Sequence, residues 1–137
     1  MNTENTDTML MHEPDDFGDV NQWTQRIISC AMRVSNTLGV GFLEKVYENA
    51  MIVEFEIEGI PFHQQHSLDV TYNGVVVGQF TCDIVVGNCV IIELKACHAI
   101  DDAHQAQLLN YLKATGIRVG LLLNFGTPRL GIKRMVW

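Results

Sequence analysis

The stretch 80–96, FTCDIVVGNCVIIELKA, is two apolar runs joined at Gly87-Asn88, and it carries Asp83, Glu93 and Lys95. Burying an unpaired charge costs several kcal/mol, so three charges on strands expected to form a core need a compensating partner. A metal ion bound through carboxylate oxygens is the simplest one. Glu93 and Lys95 are two apart on one strand and so share a face.

Whether Asp83 can join them depends on the turn. A two-residue loop at Gly87-Asn88 pairs Val86 with Cys89 and sets Asp83 opposite Ile92, on the wrong face. A three-residue loop, 87–89, sets Asp83 directly opposite Glu93, within the roughly 5 Å at which two carboxylates share an ion. The metal reading therefore requires the longer loop or a bulge.

The elements that must hold these residues can be read from periodicity. Trp23, Ile27, Cys30, Ala31, Val34 and Leu38 recur at helical spacing, with Gly39 and Gly41 as the break. A second helix is expected over 42–58, with Leu43, Val46, Tyr47, Ala50, Val53 and Ile57 as its apolar stripe and Gly59 as its stop. Glu44 lies in its first turn, where the helix dipole favours an acid. Alternation through Leu68, Val70 and Tyr72 reads as a strand ending at the hairpin signal Asn73-Gly74. A second strand follows over 75–86, with Gly78 as a candidate bulge, and a third, apolar apart from Glu93 and Lys95, over 90–95.

A third helix is expected over 99–115, with Asp101 or Asp102 at its start, Leu108, Leu109 and Leu112 in the core and Gly116 as its stop. Gln107 and Tyr111 are four apart on it and so share a face. Strands over 119–125 and 130–136 close the chain. A helix between the third and fourth strands allows those two to pair in parallel, so the expected fold class is α/β in the α+β sense: a central mixed sheet of about four to five strands flanked by helices.

Composition bounds the function. The chain has 137 residues, 47% of them hydrophobic, and a formal net charge of −7. That is one domain's length. Six of the 16 acidic residues, Glu4, Asp7, Glu13, Asp15, Asp16 and Asp19, fall in residues 1–22 beside no Lys or Arg, leaving ten acids against nine bases in 23–137. The expected organisation is therefore an acidic mobile tail over 1–22 and a near-neutral domain over 23–137. No basic stripe marks a nucleic-acid face, no apolar run reaches membrane-span length, and the acidic start is unlike a signal peptide. A cytoplasmic location is expected. The cysteines Cys30, Cys82, Cys89 and Cys97 lack zinc-site spacing and are expected to stay reduced.

Asp83, then Glu93-Leu94-Lys95, then Gln107 and Tyr111, with Glu44 on an earlier helix, resembles the PD-(D/E)XK nuclease superfamily and its QxxxY-bearing, RecB-like branch. The segments GFLEKVY at 41–47, IELKA at 92–96, HQAQLLNYL at 104–112 and GLLLNFG at 120–126 look like the small bacterial GxxExxY family, also called GxxExxRR, of that superfamily. The resemblance implies a restriction-endonuclease-like core and a nuclease hydrolysing phosphodiester bonds of DNA or RNA. It implies Mg²⁺ or Mn²⁺ held by Asp83 and Glu93 with Glu44 completing the site, Lys95 orienting the attacking water, and Gln107 and Tyr111 positioning that water or the phosphate. His104 is expected to serve packing or support.

Two departures bear on the substrate. Tyr47 is followed by Glu48-Asn49 in place of paired arginines, and Thr81-Cys82 stand where a basic residue is expected before Asp83. Each removes positive charge that would meet a phosphate backbone. The other function class is a catalytically inactive nuclease-like module that binds nucleic acid or a protein partner, perceptible in the exposed-looking end at Lys133, Arg134 and Trp137.

Overall fold

The computed structural model describes residues 17–137; most of the expected acidic tail lies outside them. Helix α1 (Phe17–Leu38) begins ahead of Trp23 and buries Ile27, Cys30, Ala31 and Val34, as its periodicity requires. After a break at Gly39 and Gly41, both at positive φ, comes α2 (Glu44–Glu58). Its buried face matches the expected stripe only at Tyr47 and the partly buried Ala50. Tyr47, Glu48, Met51 and Phe55 point inward, whereas Leu43, Val46, Val53 and Ile57 are exposed. The helix is apolar on two sides, so periodicity alone does not choose between them; packing against α1 and the sheet does.

Five strands follow: β1 (Phe62–Tyr72), β2 (Val75–Val86), β3 (Val90–Lys95), β4 (Val119–Asn124) and β5 (Gly131–Val136), with α3 (Asp102–Thr115) between β3 and β4. They form one sheet in the order β1-β2-β3-β4-β5. β3 and β4 pair in parallel through the α3 crossover while all other neighbours are antiparallel, which gives the expected mixed sheet. The β1–β2 turn is the two-residue one, Tyr72 opposite Val75, with Asn73 and Gly74 both at positive φ. A bulge falls beside Gly78, because Val70 pairs with Gly78 but Thr71 with Val76.

The helices divide between the faces. α1 and α2 cover Ile84, Val86, Ile92, Leu94, Leu121 and Leu123, and α3 covers Val85, Ile91 and Leu122 through Leu108 and Leu112. Each fully buried Leu or Ile contributes about 1.5–3 kcal/mol relative to exposure, so the two-sided burial of β3 and β4 anchors the centre of the sheet. α3 starts at a capping box: Asp101 Oδ1 accepts from His104 N at 2.8 Å, and Asp101 N donates to His104 Nδ1 at 3.4 Å. His104 is thus a helix-cap residue. Among the described residues no helix is long and apolar enough to cross a membrane, and all four cysteines are free thiols.

Candidate active site

The β2–β3 register settles the turn. Val86 pairs with Val90, Val85 with Ile91 and Ile84 with Ile92, so the loop is the three residues 87–89. Gly87 and Asn88 both take positive φ and Cys89 N donates to Val86 O at 3.0 Å. One step further along this register Asp83 stands across from Glu93. The backbone ladder stops at Ile84 and Ile92, and the carboxylates continue it. Asp83 N donates to Glu93 Oε2 at 3.2 Å and Leu94 N donates to Asp83 Oδ2 at 2.8 Å. Alternation also breaks here, since Cys82 and Val85 belong to the same cluster beneath α3, while Asp83 lines the cleft beside the start of α2.

The pair is electrostatically unfavourable by itself. Burial, then the adjacent Asp83 carboxylate, push the Glu93 carboxyl up to about 8. Burial also raises Asp83, opposed by the Leu94 N–H, with the charges of Glu48 and Glu44 raising it further and that of Lys95 lowering it. Lys95, on the same strand two residues on, forms no ion pair with either carboxylate among the described residues. A salt bridge that merely holds the sheet together is therefore not what these residues make.

A cleft of about 580 Å³ opens beside Asp83, lined by Phe42, Leu43, Glu44, Lys45, Glu48, Gln65, Asp83 and Ala96; Glu93 and Lys95 are not among its lining residues. Its wall is the start of α2, and Tyr47 fixes that wall in place. The Tyr47 hydroxyl donates to Gly39 O at 2.6 Å and accepts from Phe42 N at 3.2 Å, and its ring stacks on Phe125 with centroids 4.8 Å apart. Leu43, the N-cap residue, supplies no side-chain cap; Val46 N donates to Leu43 O at 3.0 Å, and the N–H groups of Glu44 and Lys45 lie ahead of the intrahelical bonds. Glu44 is exposed at this lip.

The other wall is held by Asn124. Paired with Lys95 across the parallel ladder, it is 2% exposed. Its Oδ1 accepts from Cys97 N at 3.1 Å and Gly126 N at 3.0 Å, and its Nδ2 donates to Cys97 O at 2.9 Å. A Cβ on Gly126 would lie 2.2 Å from Cys97 O, so glycine is required where the two chains cross. Asn124 thereby fixes the exit of β3 directly after Lys95.

The remaining candidates lie apart from the cleft lining. Gln107 is exposed on α3, and Tyr111 stacks on Phe80 with centroids 3.4 Å apart. Glu48, by contrast, is brought in by the fold and is not among the residues singled out by the sequence. It is 4% exposed and accepts from Gln64 Nε2 at 2.6 Å, Gln65 Nε2 at 3.0 Å and Lys45 Nζ at 3.1 Å. The available signal was its position one helical turn after Glu44.

The donor chemistry suits a hard divalent cation. Asp83 Oδ1 and Glu93 Oε1 have no hydrogen-bond partner among the described residues, and both carboxyls have pKa values raised by burial and by neighbouring carboxylates, which a cation would offset. Among the described residues, however, no three His, Cys, Asp or Glu side chains already converge to hold an ion. The fit is thus of a carboxylate pair with nearby acids.

The sequence pattern of the PD-(D/E)XK nuclease superfamily matches residues 21–135. No curated protein matches the sequence. The crystal structure of SSO0001 is similar in fold, with a TM-score of 0.53 and 15% identity; the likeness covers 90% of this chain and 61% of that one.

Proposed function

Because this chain belongs to the PD-(D/E)XK nuclease superfamily, we propose that it is a Mg²⁺- or Mn²⁺-dependent nuclease that hydrolyses phosphodiester bonds of DNA or RNA. The observation that carries the reading is the placement of Asp83 across from Glu93 at the end of the β2–β3 ladder, with Asp83 lining an open cleft.

In this reading Asp83 and Glu93 bind the cation, with Glu44 at the cleft lip completing the set. A divalent ion held there supplies Lewis acidity to the phosphodiester and acidifies water. Lys95, which forms no ion pair among the described residues, would donate from its Nζ to the attacking water and orient it for in-line attack. The first turn of α2 offers backbone N–H donors for a phosphate, while Lys45 beside it is paired with Glu48 at 3.1 Å. These donors stand in part for the arginines absent at Glu48 and Asn49. Gln107 and Tyr111 act from α3, on the sheet face that Glu93 and Lys95 share with Ile91.

The test is cleavage of a labelled panel of single- and double-stranded DNA and RNA in Mg²⁺ or Mn²⁺. Cleavage by the wild type should vanish in chelator and in Glu93→Gln. Cleavage that survives both would refute the mechanism. A second reading is a nuclease-like module that binds nucleic acid or a protein without cutting, with which the absence of a converged three-ligand set among the described residues is consistent. It predicts salt-dependent nucleic-acid binding with no metal effect.

A further inference from the structure

The nine bases of the chain are unevenly placed. Residues 23–102 hold four of them against ten acids, whereas residues 103–137 hold five, Lys113, Arg118, Arg129, Lys133 and Arg134, and no acid. They form no stripe in the sequence because a helix, loops and a strand supply them. β5 is the last strand of the sheet. Met135 packs beneath α3, so Lys133 and Trp137, two residues to either side of it, share that face, about 13 Å apart along the strand. Trp137 N continues the ladder by donating to Arg118 O at 2.7 Å. Lys113, in the last turn of α3, lies over the Trp137 ring, 5.0 Å from its centroid, and the ring is still 55% exposed. Lys113 and Lys133 are exposed, and neither forms an ion pair among the described residues. Lys133 also stands on the cross-sheet row of Glu93, through Leu122 on β4, two strand spacings or about 10 Å away.

We infer that this face binds single-stranded nucleic acid, with Lys113 and Lys133 on its phosphates and Trp137 stacked on an unpaired base. Cations that follow a backbone beside an aromatic platform are the chemistry of single-strand binding, and the bases of a duplex are closed to such stacking. Lysines on an edge strand also guard against edge-to-edge pairing. That role requires neither a lysine on α3 nor an exposed tryptophan beneath it. A strand held here runs close to the row of Glu93, and the face supplies positive charge that the sequence lacks at Glu48 and Asn49. The inference rests on the nucleic-acid partner proposed above and not on hydrolysis.

The experiment is fluorescence anisotropy in chelator, over a salt series, with labelled single-stranded DNA and RNA oligonucleotides and the matching duplexes. The proteins are wild type, Lys113→Gln, Lys133→Gln, Trp137→Ala and, as a control, Arg26→Gln. Arg26 lies over Trp23, 5.2 Å from its centroid, in the acid-rich part of the chain, and so tests whether any cation beside an aromatic ring serves. The wild type should bind single strands more tightly than duplexes. Each Lys→Gln change should reduce the slope of log affinity against log salt by about 0.7, and Trp137→Ala should weaken single-strand binding about fivefold or more. Arg26→Gln should bind as the wild type does. Unchanged binding in the three variants overturns the inference and leaves the nuclease reading to its own cleavage test. An equal loss in Arg26→Gln, or duplexes bound as tightly as single strands, overturns it too. A wild type that binds none of these probes overturns it whether or not the protein cuts. The expected binding pattern in a protein that cuts nothing upholds the inference and refutes only hydrolysis.

Discussion

Replacing Glu93 with glutamine should stabilise the metal-free protein above neutral pH. The reason lies in the folded-state pKa, pushed from 4.5 up to about 8 by burial and by Asp83. In the unfolded chain the carboxyl loses its proton near 4.5; in the folded chain it holds the proton until about 8. Between those values the folded state binds more protons, so stability falls as pH rises through the window and levels off above it. At 1.36 kcal/mol per pH unit the upper bound is about 5 kcal/mol. Relaxation and water reaching the half-buried group reduce this to roughly 2–3 kcal/mol. For a domain of this size that is a melting-temperature difference of about 10 °C.

Glutamine keeps an oxygen to accept from Asp83 N and carries no charge, so the variant should lack this dependence. Melting curves of both proteins in chelator, from pH 5 to 9, provide the assay. The two should melt together near pH 5 and diverge to about 10 °C, variant higher, at pH 9. His66, whose pKa is lowered by burial, favours folding as pH rises and partly masks the wild-type profile; the difference between the two proteins isolates Glu93. Parallel profiles, or a variant less stable at pH 9, would refute the electrostatic account of the pair.

Two structural predictions concern the walls of the site. Tyr47→Phe removes the hydroxyl that ties Gly39 and Phe42 together, and should cost about 1–2 kcal/mol in urea unfolding while lowering any cleavage rate. Asn124→Ala strands the part-buried backbone groups of Cys97 and Gly126, and a loss of about 2 kcal/mol is expected by the same measurement. An unchanged midpoint in either case would mean that the hydrogen bonds named here do not fix the walls.

The sequence by itself determined the order of elements, the mixed sheet with its parallel β3–β4 pair, and the candidates Asp83, Glu93 and Lys95. Each of these rests on local information: period-2 and helical spacing, Asn-Gly and Gly stops, and charges standing out on apolar strands. It posed the question of the β2–β3 turn without answering it, because Gly87-Asn88 is compatible with either loop length. Pairing of Val86 with Val90 answered it, and that pairing is a property of the whole sheet. The buried face of α2 was equally undecided locally, with Val46, Val53 and Ile57 as apolar as Met51 and Phe55; contact with α1 and the sheet chose the latter pair. That same rotation carried Glu48 inward, next to Asp83 and under the amide of Gln65, three segments far apart in the chain. Such a convergence has no period or spacing to announce it, since it depends on helix rotation and strand register together, and only the tertiary structure sets both.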